Sequence, residues 1–207
     1  MAAVLSLYEP DTLDRALALL RAGEPIGVPT DTVYGVGAAA LDAAAVLRLY
    51  AVKRRPLAQA IPLLIADESD LGQVTASVPP AARRLARLWP GALTLVLPAA
   101  PQLPPELLAG GATVAVRLPS HDWLRALIRA LGAPLAATSA NLHGQRDPQT
   151  AADVAAQLGD VLPLIVDGGP TPGPVPSTIV DCTGGELRLL RAGALGWERI
   201  EAAIGDE

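Results

Sequence analysis

The residues able to do chemistry fall in five short places along this 207-residue chain. The first is "GVPTDTVYGVG", Gly27 to Gly37, where Thr30, Asp31, Thr32 and Tyr34 occupy positions that a core strand would give to aliphatics. The others are Lys53 to Pro56, Arg117 to Pro119, Thr138 to Asn141, and Ser177-Thr178 together with Arg191. Hydroxyls, an amide and cations dominate the set, and no paired acid and base stands in it. Such groups bind phosphates and a carboxylate, and they catalyse by positioning and charge neutralisation, as in nucleotidyl or phosphoryl transfer. Lys53 is the only lysine among 16 basic residues. It marks a position that wants a compact ammonium rather than a planar fork, as triphosphates often do.

What is missing narrows the chemistry. No G-x-x-x-x-G-K-[ST] loop, no G-x-G-x-x-G after the first strand and no G-x-S-x-G elbow occurs, which disfavours a P-loop ATPase, a Rossmann dehydrogenase and an α/β hydrolase. A serine nucleophile at Ser139 or Ser177 would have only His121 or His143 as partner. Cys182 is the single cysteine, so there is no intrachain disulfide and no thiolate zinc site, and any metal would be a hard cation held by oxygens. The net charge of −5 gives no global attraction for nucleic acid, and three Trp and three Tyr with no Phe offer little for stacking bases.

These residues need elements to hold them, and the chain alternates helices with strands. Leu13, Ala16, Leu17 and Leu20 recur at helical spacing, with Asp11 or Thr12 as N-cap and Gly23 as the stop. "PIGVPT" then reads as a short buried strand, "LDAAAVLRLYAVKRR" as a helix capped by Asp42, and "AIPLLIAD" as a strand, which puts Lys53 and Arg55 where a helix gives way to a loop. "PPAARRLARLW" is a helix, and "GALTLVLPA" and "ATVAVRLP" are strands, the second ending in Arg117. "DWLRALIRALG" is an amphipathic helix, "APLAATSAN" a strand running into a polar turn, "TAADVAAQLG" a helix and "LPLIVDGG" a strand. "STIVDCT" and "ELRLLRAG" flank Gly184-Gly185 as a hairpin, and "WERIEAAIG" is a closing helix. The Pro/Gly loop "GGPTPGPVP" before Ser177 suits a hinged cover over a site. The expectation is one α/β domain over residues 1–207, with a mixed twisted open sheet flanked by helices around a concave cavity. With no apolar run of about 18 residues and no basic leader before Glu9, a cytoplasmic protein is the default expectation.

The blocks "PTDTVYGVG", "KRRP", "WPGALTLVL", "VAVRLP", "ATSANLHG", "PSTIVD" and "LRAG", in this order, resemble the YrdC family of L-threonylcarbamoyladenylate synthases from about Pro25 to Gly193. That resemblance implies a YrdC-like fold in its short form and a cytoplasmic enzyme. Its reaction would join L-threonine, bicarbonate and ATP into threonylcarbamoyl-AMP and pyrophosphate, for threonylcarbamoyladenosine modification of tRNA. It implies magnesium on the triphosphate with no metal held by the protein alone, transient contact with the tRNA threonylcarbamoyl-transfer machinery, and at most weak RNA binding. By the same resemblance Thr32, Arg117, Ala137 and Ser177 hold threonine and bicarbonate. Lys53, Arg55, Gln59, Thr113, Ser139, Asn141, Asp147 and Arg191 hold ATP, and Lys53, Arg55 and Arg117 carry catalysis. The sequence departs from the family pattern at Gln59-Ala60-Ile61 after the K-x-R-P block, and at Leu64, where some relatives have a histidine. It departs again at His143 and Asp147, where serines are common. Tyr34 stays open between a packed wall and a ligand contact, and Arg55 and Arg191 between ligand cations and solvated charges. The rival functions are a paralogous adenylate or carbamoyl-adenylate activity on the same fold, an RNA-binding or ribosome-maturation role, and a passive nucleotide-binding partner.

Overall fold

The apolar runs pair into one mixed sheet of ten strands in the computed structural model, which describes residues 1–205. The first half of the chain forms β1 (Ala3–Ser6), α1 (Thr12–Arg21), β2 (Ile26–Val28), β3 (Gly35–Ala39), α2 (Ala43–Lys53), β4 (Leu63–Leu64), α3 (Leu71–Val74), α4 (Pro80–Ala86) and β5 (Leu93–Pro98). The second half forms α5 (Pro105–Leu108), β6 (Thr113–Arg117), α6 (Asp122–Leu131), β7 (Leu135–Ser139), α7 (Ala151–Leu158), β8 (Leu164–Asp167), β9 (Thr178–Asp181), β10 (Arg188–Arg191) and α8 (Trp197–Gly205). The spatial order is β1-β8-β2-β3-β7-β4-β6-β5-β9-β10. The sheet is open, with β1 and β10 at its edges, and the mixed α/β expectation is met.

Each face of the sheet has its own apolar layer. Ala16 and Leu20 of α1 and Leu124, Leu127 and Ile128 of α6 pack with Ile26, Val28 and Leu135 on one face. Val46 and Leu49 of α2, Leu85 of α4 and Val154 of α7 pack with Val36, Leu63, Leu95 and Val116 on the other. This is the three-layer solution for strands that bury both faces.

Local signals set the ends. Asp42 accepts hydrogen bonds from the Ala44 and Ala45 amides and starts α2, and Arg54 ends it in the left-handed region at φ 51°. Thr150 and Asp153 form a capping box on α7. His121, a candidate nucleophile partner by sequence, instead caps α6 by accepting from the Leu124 amide at 3.3 Å. "AIPLLIAD" supplies only the two-residue strand β4, while β1 and β3 arise from segments that the sequence reading left unassigned. In β3 the glycines serve the neighbouring strand, since a Cβ on Gly37 would lie 2.7 Å from a methyl of Leu135.

Pairing lines the chemistry up across strand ends. Gly35 lies opposite Ser139, Leu64 opposite Arg117, Thr94 opposite Arg117, and Leu93 opposite Thr178. Six strands far apart in sequence therefore open onto one crevice.

Candidate functional site

The crevice is a cavity of about 120 Å³ lined by the loop after β2, the ends of β6 and β7, and the residues around Ser177. Thr32, Arg117, Ala137, Ser139, Asp147, Ser177 and Arg191 of the expected set lie on its wall. Lys53, Arg55, Gln59, Thr113 and Asn141 do not. A volume below the roughly 300–1,000 Å³ of larger ligand pockets suits an amino-acid-sized molecule.

Arg117 is the centre of the wall. Its Nε donates to the Gly91 carbonyl at 2.9 Å, Nη1 to Thr32 Oγ1 at 2.9 Å, and Nη2 to Asp31 Oδ1 at 2.7 Å. Asp31 takes a further hydrogen bond from Ser120 at 3.0 Å. Burial pushes the Arg117 pKa down, and the adjacent Asp31 carboxylate opposes this. A guanidinium has five N–H groups, and the three protein bonds leave one on each terminal nitrogen, so the group keeps donors for an incoming anion.

Thr32 is oriented by its neighbours. Thr30 Oγ1 donates to the Val33 carbonyl at 2.7 Å, so the Thr32 hydroxyl, 3.1 Å away, gives its proton to Thr30 and accepts from Arg117. One lone pair then remains on Thr32 Oγ1, suited to an ammonium or hydroxyl of a ligand. Opposite it, Ser177 Oγ accepts from Arg191 Nη2 at 3.2 Å and shares a 2.7 Å hydrogen bond with Thr94 Oγ1. Thr94 was not singled out by the sequence reading. Its signal was present: it is the one polar residue in "LTLVL". Leu64, Ile179 and Ala137 give the cavity an apolar side.

Lys53 stands behind this wall. It is 2% exposed, and its ammonium donates to Thr138 Oγ1 at 3.4 Å, to Asn141 Oδ1 at 2.9 Å and to the Ser139 carbonyl. Its three donors are all used by the end of β7 and the turn that follows it. Burial lowers its pKa to about 8, the Arg55 charge adding to this and Asp147 opposing it. Arg55 closes its own loop on the Gln59 and Ala60 carbonyls at 3.2 and 3.0 Å. Ser139 Oγ donates to Asn141 Oδ1 at 2.6 Å, so Lys53, Ser139 and Asn141 form one network of which Ser139 reaches the cavity. Thr113 is exposed at the start of β6, about 13 Å from Arg117 at ~3.3 Å per strand residue. His143 is exposed on the loop after Asn141 and is not on the wall.

Arg191 and Arg117 make the wall electropositive, and Asp147 is its one carboxylate among the described residues. Among those residues no group of three or more His, Cys, Asp or Glu could cage a metal, and no helix is long and apolar enough to cross a membrane.

Known proteins resemble this chain in sequence and in fold. The Sua5/YciO/YrdC family model, described as "Telomere recombination", matches residues 18–193. A threonylcarbamoyl-AMP synthase of Bacillus subtilis is 46% identical over 203 residues, covering 97% of this chain and 58% of that protein. Pyrococcus abyssi Sua5, solved in complex with L-threonine, matches with a TM-score of 0.95 at 38% identity, over 99% of this chain and 62% of the other. Escherichia coli YciO matches with a TM-score of 0.87 at 26% identity, over 97% of this chain and 100% of the other. The chain thus spans less than two thirds of the Bacillus and Pyrococcus proteins. From the ordered motifs, the shared sheet and the match over residues 18–193, the chain belongs to the Sua5/YciO/YrdC family.

Proposed function

We propose that this chain is an L-threonylcarbamoyladenylate synthase, making threonylcarbamoyl-AMP and pyrophosphate from L-threonine, bicarbonate and ATP. The observation that carries the reading is the convergence of Thr32, Arg117, Ala137 and Ser177 on one amino-acid-sized cavity. Support comes from the L-threonine complex of the Pyrococcus relative.

In this reading the threonine carboxylate, or the carbamate formed on its amine, pairs with the Arg117 guanidinium. The Thr32 oxygen accepts from the amine or hydroxyl, and the methyl lies against Leu64 and Ile179. The amine adds to bicarbonate with loss of water, and a carbamate oxygen then attacks the α-phosphorus of ATP as pyrophosphate leaves. Arg191 and Arg117 offset the negative charge gathered there, and Ser139 and Asp147 border the phosphate side. Two cationic guanidinia and several hydroxyls fit phosphate oxygens, while no acidic cage exists for a bare cation among the described residues. Magnesium would therefore arrive on the triphosphate and shield it. The nucleotide would extend from the cavity toward Arg55, Gln59 and Thr113. The product would serve tRNA modification in the cytoplasm, passed on through transient contact with the transfer machinery.

Calorimetric titration with L-threonine tests the pocket assignment. Binding is expected in the wild type, at least tenfold weaker in Arg117→Lys, which cannot make a forked grip. Equal affinity in the two proteins would remove Arg117 from the threonine site.

A further inference from the structure

Tyr34 sits in the "PTDTVYG" block, between wall residues Val33 and Gly35, yet its ring is fully buried and is not on the cavity wall. Its backbone joins two site loops: its N–H donates to the Pro148 carbonyl at 3.0 Å, and its carbonyl accepts from the Ala140 amide at 2.8 Å. Any residue could make those two bonds. Only the hydroxyl is particular to tyrosine, and it is spent on a third loop. It donates to the Gly169 carbonyl at 2.7 Å, lies 3.3 Å from Asp167 Oδ1, and accepts from the Gly168 amide at 3.1 Å. Asp167 Oδ1 also receives the Gly169 amide at 2.9 Å.

That third loop is the strap "GGPTPGPVP", residues 168–176, which delivers Pro176 and Ser177 to the cavity. Four of its nine residues are proline and cannot donate. Of its five amides, Gly168 and Gly169 are held at the root, and Thr171 donates to the Gln149 carbonyl at 2.9 Å. Gly173 and Val175 donate to no protein group among the described residues. At its far end, Arg191 grips the Ser177 carbonyl at 3.0 Å. The strap is thus a stretch fastened mainly at its two ends. Its root has no slack, because a Cβ on Gly168 would fall 2.7 Å from Leu7 and 2.8 Å from Pro29.

We propose that Tyr34 is a positioning residue whose hydroxyl fixes the root of strap 168–176 and thereby sets where Pro176 and Ser177 stand on the cavity wall. The phenol is suited to the task across the working pH range. Burial first, with the Asp167 carboxylate adding and the Gly168 amide opposing, raises its pKa to about 12, so it remains a donor. Phenylalanine would keep the ring packing and both backbone bonds while leaving the Gly168 amide and the Gly169 carbonyl without their partner.

The effect on ligand binding rests on the threonine reading above, but the effect on the strap does not. Hydrogen exchange of the free protein is therefore measured first, in wild type and Tyr34→Phe. The Gly168 amide, which loses its acceptor, should exchange at least tenfold faster in the variant, while the amides of α1 and α6 remain as in the wild type. L-threonine affinity by calorimetry should fall about five- to twentyfold, and saturating turnover should change less than threefold, a KM effect rather than a kcat effect. Unchanged strap exchange overturns the proposal. So does uniformly faster exchange with turnover and affinity falling together, since that pattern marks a general packing defect. If the wild type binds no threonine, the functional reading fails and the exchange comparison still decides the role of Tyr34. Should Tyr34→Phe fail to fold, Asp167→Ala, which frees the Gly169 amide and removes the carboxylate beside the Tyr34 hydroxyl, must speed exchange at the strap root alone.

Discussion

Replacing Lys53 with methionine keeps most of the buried stem and removes the ammonium, and the consequence should depend on pH in a defined direction. In the folded chain burial lowers the Lys53 pKa from 10.5 to about 8, whereas the unfolded chain keeps its proton up to about pH 10.4. Between those values the unfolded state binds more protons, so stability rises with pH through the window and the burial cost is fully present below pH 8. At 1.36 kcal/mol per unit the cost is roughly 3 kcal/mol, of which roughly 2.5 kcal/mol is relieved between pH 7 and pH 10. Tyr34 and Cys182, both buried acids with pKa raised to about 12, pull the other way in this range. Only the difference between wild type and Lys53→Met isolates the lysine. Urea unfolding followed by tryptophan fluorescence should give a wild-type-minus-variant free energy that climbs by roughly 2.5 kcal/mol from pH 7 to pH 10. A difference that stays flat, or falls, refutes the reasoning. The same group decides between two roles: if Lys53 leaves Ser139 and Asn141 to meet the triphosphate, its pKa recovers and ATP binding takes up a proton at pH 8.5. No uptake is expected if it stays as a strut.

Arg117→Met should cost about 3–5 kcal/mol in urea unfolding, because it strands the Asp31 carboxylate with Ser120 alone. The double variant with Asp31→Asn should be at least about 1 kcal/mol more stable than the sum of the single losses predicts, and strict additivity would contradict the pairing. Thr94→Val removes the hydroxyl 2.7 Å from Ser177 without changing shape, so stability should drop by about 1 kcal/mol. L-threonine affinity should fall a few-fold in calorimetry, and an unchanged affinity would take Thr94 out of the site.

The sequence showed most of the helices because their ends are marked locally, by Asp42, Thr150 and the prolines that open α4. It showed the cavity residues whose chemistry is out of place in strands, such as Thr32 and Ser177. It could not show which of two neighbouring polar residues faces the cavity, since that follows from register. Lys53 and Ser139 share one network, yet only Ser139 reaches the cavity. Thr94 was hidden inside an apolar strand and gains meaning from lying beside Ser177, 83 positions away. β3 was missed because its glycines carry no strand pattern; the reason for Gly37 is the Leu135 side chain on the neighbouring strand. His121, a free imidazole by sequence, is occupied as a helix cap.

Pyrophosphate release by the purified protein with ATP and magnesium, with L-threonine and bicarbonate each omitted in turn, tests the central claim most directly. The account predicts release only when both are present, with threonylcarbamoyl-AMP formed in equal amount. Release that does not depend on threonine, or none with all substrates while ATP still binds, would contradict it.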